Sequence, residues 1–225
     1  IRSYMYVMLK EAKAKGIKVT KKYLEECGKD IQYYPGVENW FDRINKYGEE
    51  HGVKVEHYLV SSGTLEIVKG CSIFDKFTKA YGCEYYYEND EAVWPKFAIN
   101  YTQKTQYFFR IAKGATKSTD DAGVNEKTDK KELRIPYRNI VYIGDGMTDV
   151  ACMTLVKKNE GISIAVHQEG NKEVADKIKT DERVKYVCLA DYRPNSEMDR
   201  VVKFVIQSAE FRHRMARAVD GVSQD

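Results

Sequence analysis

The stretch IVYIGDGMTD, residues 140–149, decides the fold class of this chain. An apolar run with β propensity leads directly into Gly144-Asp145-Gly146, and the residues from Thr148 onward carry apolar side chains at helical spacing. We therefore predict a strand over residues 139–143, a tight turn, and a helix over residues 148–157. A strand that enters a glycine turn and then a helix is typical of α/β proteins.

This turn brings two carboxylates into one short loop. Asp145 is expected at the carboxyl end of the strand, and Asp149 in or beside the first helical turn, while the two glycines leave space for a ligand. Two carboxylates suit Mg²⁺, which takes oxygen ligands and keeps several waters. An ordinary explanation stays open, because Asp-Gly is a common turn dipeptide and an acid such as Asp149 suits a helix N-terminus.

The alternation of strands and helices continues on both sides of the loop. Further strands are predicted over residues 55–60, 83–87, 92–100, 162–166 and 184–189, with helices between them. We expect residues 83–100 to form a hairpin with Pro95 on an edge strand. This alternation predicts an α/β fold with a mostly parallel sheet, in which ligands bind at the carboxyl ends of the strands.

Two other turns carry candidate site residues. The run Ser61-Ser62-Gly63-Thr64 follows a predicted strand, and a hydroxyl with backbone N–H groups at the start of a helix favours an anion. Lys104 lies near the start of a helix predicted over residues 102–112, where a cation opposes the helix dipole. The ordinary alternatives are a serine N-cap and a solvated surface lysine, and Lys96 is a weaker rival to Lys104.

Composition excludes several classes of protein. The 225 residues include Lys+Arg 37 against Asp+Glu 34, so the near balance gives no general attraction to nucleic acid or membranes. A mean hydropathy of −0.58 and the lack of a long apolar run argue against a membrane-spanning helix. Five cysteines, far apart and never in C-x-x-C, disfavour disulfide scaffolds and zinc fingers, and predict a cytoplasmic setting.

The order of the three turns resembles the haloacid dehalogenase-like (HAD) superfamily of phosphohydrolases, and its phosphoserine-phosphatase-like branch most of all. The resemblance covers roughly residues 35–192 and includes Pro35-Gly36-Val37 ahead of the helix before Ser61. It implies a Rossmann-like, mostly parallel sheet sandwiched by helices, with a small and partial helical cap of the C1 type. It also implies Mg²⁺-dependent hydrolysis of a phosphomonoester through an aspartyl-phosphate intermediate.

The resemblance assigns roles residue by residue. Ser61 matches the hydroxyl that bonds the transferring phosphoryl group, and Lys104 matches the lysine that neutralises charge around it. Asp145 and Asp149 match the acids of the Mg²⁺ site. The full set implied to bind phosphate is Ser61, Ser62, Gly63 and Gly146.

One motif of the superfamily is missing from this chain. Its members attack phosphorus with the first Asp of an Asp-x-Asp turn, and no such turn follows any predicted strand here. The superfamily places that turn on a central strand before the cap, between the strands that end at Ser61 and Asp145. We therefore expect the nucleophile and its strand upstream of Ile1, since two unpaired strand edges are costly.

The same resemblance divides the chain into parts. Residues 1–34 are expected to be the remnant of the helical cap, and residues 35–225 the α/β core, with a flexible insertion loop over residues 113–138. The expected partner is a small phosphorylated metabolite, with neither nucleic acid nor membrane involved. Substrate identity and oligomeric state are not specified by the sequence.

Two alternatives to a phosphatase stay open. A relative without the nucleophile would be a non-catalytic module that binds metal or phosphate. A phosphotransferase or a phosphonatase of the same superfamily would use the same metal loop, although the cap residues do not identify the lysine that a phosphonatase needs.

Overall fold

The computed structural model describes residues 1–117 and 120–222, and within them the chain is a mixed α/β protein. The described helices are α1 (Arg2–Ala14), α2 (Lys21–Gly28), α3 (Val37–Glu50), α4 (Leu65–Gly70), α5 (Lys104–Lys113), α6 (Asp121–Asn125), α7 (Val150–Lys158), α8 (Glu173–Thr180) and α9 (Glu197–Val222). The described strands are β1 (Tyr58–Thr64), β2 (Lys79–Glu88), β3 (Glu91–Phe97), β4 (Val141–Gly144), β5 (Ile162–His167) and β6 (Tyr186–Leu189). Among these residues, no helix is both long enough and apolar enough to cross a bilayer.

The strands form two three-stranded sheets, in the orders β1-β2-β3 and β4-β5-β6. In the first sheet, β1 pairs in parallel with β2, and β2 pairs antiparallel with β3, which is the predicted hairpin. Pro95 lies on β3, the terminal strand, as a residue without an N–H donor requires. The second sheet is parallel throughout. The predicted α/β class is confirmed. Most strand pairs among the described residues are parallel, but the strands form two small sheets instead of the single mostly parallel sheet that was predicted.

The chain divides into two compact units. The first comprises Ile1–Gln32 and Glu56–Tyr107, and the second comprises Tyr33–Val55 and the residues from Phe108 onward. The predicted division is drawn differently, with residues 1–34 as a cap remnant and residues 35–225 as the α/β core, and it stays a prediction. The first sheet groups with the N-terminal helices because its core is built on them.

The first unit has its own apolar core. Side chains from α1, the segment before α2, α2 itself and β2 pack together, and its fully buried members include Met5, Leu24 and Cys83. Helix α2 begins directly after Thr20, whose hydroxyl accepts a hydrogen bond of 3.0 Å from the N–H of Tyr23. The helix ends at Gly28.

The second unit is built around β5. The four middle residues of β5 are buried, and Met153 of α7 and Ile178 of α8 pack in the same core. Helix α3 lies against α9, where Gln207 donates a hydrogen bond of 2.8 Å to the hydroxyl of Tyr47. The second sheet and these helices position the loops that follow β4 and β6.

Three local predictions need correction. The predicted strand over residues 55–60 is β1, and it continues through Ser61 to Thr64. The single helix expected after it is α4 followed by a 3₁₀ turn at Phe74–Lys76. The segment 113–138, predicted as an exposed loop, contains α6 and the buried Leu133, and residues 118–119 of it lie outside the described residues.

Candidate functional site

The loop after β4 has the predicted strand–turn–helix form. Strand β4 ends at Gly144, Asp145 is exposed, and Gly146 has extended backbone before a 3₁₀ turn at Met147–Asp149. Helix α7 begins directly afterwards at Val150. Asp145 therefore lies at the carboxyl end of a parallel strand, the edge at which ligands of α/β sheets bind.

Asp149 is a buried carboxylate inside this loop. Its side chain is 5% exposed, and the hydroxyl of Tyr142 donates a hydrogen bond of 2.7 Å to its Oδ1. Burial raises the pKa of Tyr142, and the adjacent Asp149 charge raises it further. Tyr142 is thereby kept protonated as a donor, which helps to hold the orientation of Asp149.

Gly144 gives Asp149 its space. A Cβ at Gly144 would lie 2.7 Å from both the Cβ and the Cγ of Asp149, closer than real side chains pack. The glycine at the end of β4 is thus explained by the acid packed against it. Gly146 differs, because nothing lies within 4 Å of where its Cβ would be.

The segment after β6 borders the same loop. Tyr192 lies near Asp145. Burial is the main cause that raises the pKa of Tyr192, nearby Tyr34 raises it further, and the Asp145 carboxylate adds to the increase. The backbone N–H of Tyr192 donates a hydrogen bond of 2.7 Å to the Pro35 carbonyl, and Arg43 donates to the Tyr192 carbonyl. Tyr192 lies in the loop between β6 and α9, and a loop position alone does not mark a residue as part of a site.

Ser61 and Ser62 lie within β1 instead of in a turn after it. The register of β1 against β2 shifts between Val60 and Thr64, so the serines occupy a bulge. The Ser61 hydroxyl accepts a hydrogen bond of 2.9 Å from the N–H of Gly63. The Ser62 hydroxyl is buried, with no hydrogen-bond partner among the described residues.

Lys104 is the first residue of α5, which begins two residues later than the predicted helix, and it is only 8% exposed. A solvated surface lysine is therefore the wrong interpretation of this residue. Burial raises the pKa of the Cys83 thiol, and the Lys104 ammonium is one of the groups that partly offset this effect. The Cys83 thiol in turn donates to the carbonyl of Ser62 at 3.2 Å. Cys83 thus contacts the Ser62 backbone and is near enough to Lys104 to be affected by its charge, and no local sequence pattern indicates either fact.

Lys96, the alternative to Lys104 as a site cation, is already paired with an acidic side chain on the hairpin. It is exposed on β3 and forms an ion pair of 3.1 Å with Glu84 on the neighbouring strand. Lys104 is therefore the better candidate for a site cation, because burial of a lysine is rare without a specific requirement.

The structure describes the candidate residues as two groups, each within its own unit. Ser61, Ser62, Gly63 and Lys104 belong to the first unit, and Asp145, Gly146 and Asp149 belong to the second. Within the described ranges, no group of three or more His, Cys, Asp or Glu side chains is arranged to hold a metal ion. Two carboxylates still match the needs of Mg²⁺, which keeps several of its waters.

Comparisons with known proteins give no family assignment. No family model matches the chain. A protein of Borreliella burgdorferi, described only as uncharacterized, is 27% identical to it over 196 residues, which cover 78% of this chain and 67% of that protein.

Proposed function

We propose that this chain is the greater part of a HAD-like, Mg²⁺-dependent phosphomonoester hydrolase that acts through an aspartyl-phosphate intermediate. The nucleophilic Asp and the acid/base Asp belong to a segment upstream of Ile1. The proposal takes the fold as Rossmann-like, with residues 1–34 as part of a C1-type cap. A small phosphorylated metabolite is the substrate.

The observation that carries the proposal is the position of β1 and β4. Each is the terminal strand of its sheet. All four residues of β4 and most of β1 are only half buried, whereas the middle of β5 is fully buried. In the HAD fold, the strand that bears the nucleophile pairs with the strands to which β1 and β4 correspond. Removal of that strand alone leaves these two edges unpaired.

Two polar groups of the first unit support a phosphate-binding role. The Ser62 hydroxyl is buried without a partner in the described part of the chain, and such a group gains from a hydrogen-bonding ligand. Lys104 is a buried lysine at the start of a helix. Fixed donors and cations of this kind stabilise the negative charge that spreads over a phosphoryl group during transfer.

The proposed metal ligands are Asp145 and Asp149. Asp145 is exposed and free to point toward a cation, and Asp149 is held by Tyr142. Mg²⁺, when bound, would neutralise phosphoryl charge and orient the group for attack. Asp145 and Asp149 would fix that ion, Ser61 and the backbone donors would orient the phosphate, and Lys104 would balance the charge of phosphate and nucleophile.

A phosphatase assay on the protein with its upstream segment tests the proposal. We expect hydrolysis of p-nitrophenyl phosphate that requires Mg²⁺ and that falls by about 100-fold in Asp145→Asn, the range found when a fixed electrostatic group is removed. Asp181→Asn changes an exposed acid at the end of α8 and should leave the rate unchanged.

The outcomes separate the candidate functions. Equal rates in wild type and Asp145→Asn would refute the hydrolase. Mg²⁺ or phosphate binding without turnover, and without an Asp-x-Asp turn upstream, would instead support a non-catalytic binding module. Transfer of the phosphoryl group to an added alcohol in preference to water would indicate a phosphotransferase.

A further inference from the structure

A cavity of about 390 Å³ opens in the first unit, and none of the residues proposed above for phosphate and metal lines it. It lies between α4, the first residue of α2 and the β2–β3 hairpin. Its volume is within the range of small-molecule sites. The polar residues that line it and matter here are Glu66, Tyr87, Lys21, Lys69, Lys96 and Glu84.

The inner wall of this cavity carries two neighbouring polar groups that no hydrogen bond of ordinary length satisfies. Glu66 is 5% exposed, and its Oε2 has no such bond among the described residues. The buried hydroxyl of Tyr87 likewise has none, although it lies near Glu66, whose carboxylate adds to the effect of burial in raising the pKa of Tyr87. Burying a carboxylate oxygen without a donor costs free energy. A ligand that donates hydrogen bonds and carries positive charge would therefore be stabilised at this wall.

The rim of the cavity has the opposite charge. The Lys21 ammonium lies 5.0 Å from the centre of the Tyr87 ring, and Lys69 is exposed on α4. Lys96 already has an acidic partner in Glu84 at 3.1 Å. Lys21 and Lys69 are therefore the rim cations best placed to bind an anionic group.

We infer that the cavity binds a small zwitterion of the amino-acid class. Its ammonium group donates to Glu66 and Tyr87, and its carboxylate is held by Lys21 and Lys69. A simple anion would be repelled by Glu66, and a simple cation by the lysines, so one molecule with both charges fits best. The inference does not depend on the proposed phosphatase activity, because the two sites share no residue.

Titration of the ¹⁵N-labelled chain followed by NMR tests this site directly. The probes are glycine, 4-aminobutanoate and 6-aminohexanoate, which place the two charges at increasing separations. As controls, butanoate carries only the carboxylate of 4-aminobutanoate, and butylamine carries only its ammonium group. At least one amino acid should bind with saturable shifts at the amides of Glu66 and Tyr87, and more tightly than either half.

Matched variants identify the contacts. Glu66→Gln keeps the shape of the side chain and should weaken binding about 10-fold, as loss of one charge-assisted hydrogen bond implies. Tyr87→Phe and Lys69→Gln should each weaken it less, and Lys13→Gln, an exposed lysine on α1, should not change it. Circular dichroism confirms that each variant is folded. The inference is overturned if no amino acid binds at these amides, or if Glu66→Gln and wild type bind equally.

Discussion

At the residue scale, the Asp149 side chain determines which residue can occupy position 144. The Asp149 carboxylate packs directly over the Gly144 backbone while Tyr142 donates to it from the same strand. A larger residue at position 144 must push the acid away from this donor. The loop therefore needs its first glycine for space and not for an unusual backbone angle.

Gly144→Ala should destabilise the protein by about 1–3 kcal/mol, because the new methyl group overlaps the Asp149 side chain. Gly146→Ala is the matched control, since its Cβ meets open space and its φ of −150° suits any residue. We expect the control to change the free energy of unfolding by less than about 0.5 kcal/mol. Urea denaturation measures both, and equal losses would contradict this account.

Asp199 is the buried centre of an ion-pair cluster in the second unit. It is fully buried, with Lys203 Nζ at 2.8 Å, Arg43 Nε at 3.3 Å and the Asn195 N–H at 3.0 Å. Burial acts to raise the pKa of Asp199, but the bonds from Lys203, Asn195 and Arg43 outweigh it and the pKa lies below its ordinary value. The charged form is thus the one that stabilises the fold.

The sign of this pKa shift predicts acid sensitivity. A carboxylate with a depressed pKa contributes its stability fully above the unfolded value of about 3.9 and loses it as the pH falls. Asp199→Asn should lower the free energy of unfolding by about 3 kcal/mol at pH 7, because it leaves the partly buried cations of Lys203 and Arg43 without their carboxylate partner. The variant should also lose less stability than wild type between pH 5 and pH 3.

Asp176→Asn is the control for this prediction. Asp176 forms an exposed ion pair of 3.3 Å with Lys172, and such pairs contribute at most a few tenths of a kcal/mol. Chemical denaturation at a series of pH values compares the two variants with wild type. A parallel acid-side decline in wild type and Asp199→Asn would show that this ion-pair centre is not responsible.

At the element scale, two glycines allow α2 and α4 to pack closely against each other. A Cβ on Gly28 would overlap the Ile67 carbonyl and lie 2.8 Å from the Gly70 Cα, and a Cβ on Gly70 would overlap the Glu25 carbonyl. The obstacles are backbone atoms, which cannot rotate away as a side chain can. The two helices can approach this closely only with glycine at both positions.

Gly28→Ala and Gly70→Ala should each therefore destabilise the first unit by about 2 kcal/mol or more, as overpacking against backbone does. Cys27→Ala alters the neighbouring exposed residue of α2 and serves as the control, with a change below about 0.5 kcal/mol. Thermal unfolding followed by circular dichroism is sufficient. Full stability of both glycine variants would mean that the helices are further apart than described.

Much of this element structure could be predicted from local patterns. Thr20 and Gly28 mark the two ends of α2, and Pro95 indicates an edge strand, because a cap, a closure and a missing N–H act within a few residues. Ser61 shows the limit of that reasoning. Its small polar neighbours suggest a turn, but pairing of Thr64 with Cys83 keeps the backbone extended through a bulge. That pairing is a long-range effect.

The candidate site shows the same limit. The helix start near Lys104 and the loop around Asp145 follow from local spacing in the sequence. The burial of Lys104 and the burial of Cys83 within reach of its charge depend on how β2 and α5 pack. No local pattern contains that information, so the charge environment of the site is known only from the structure.

At the scale of the whole molecule, the two units are interwoven along the chain. Each is assembled from separate segments, with boundaries near residues 33, 56 and 108. Each unit also has its own three-stranded sheet. One terminal strand of each sheet, β1 or β4, carries candidate site residues or leads directly into them. The state of those two strand edges therefore bears directly on the proposal that a further strand completes the protein.

Hydrogen exchange of the chain Ile1–Asp225 tests these edges. Strands β2 and β5 have hydrogen-bonded neighbours on both sides, whereas β1 and β4 have one each among the described residues. Alternate amides of β1 and β4 should therefore exchange much faster than those of β2 and β5, since an unpaired N–H is open to water. In a protein that carries the upstream segment, the same amides should become protected. Uniform protection of all four strands in the shorter chain would show that both edges are already paired, and the proposed central strand would then have no place.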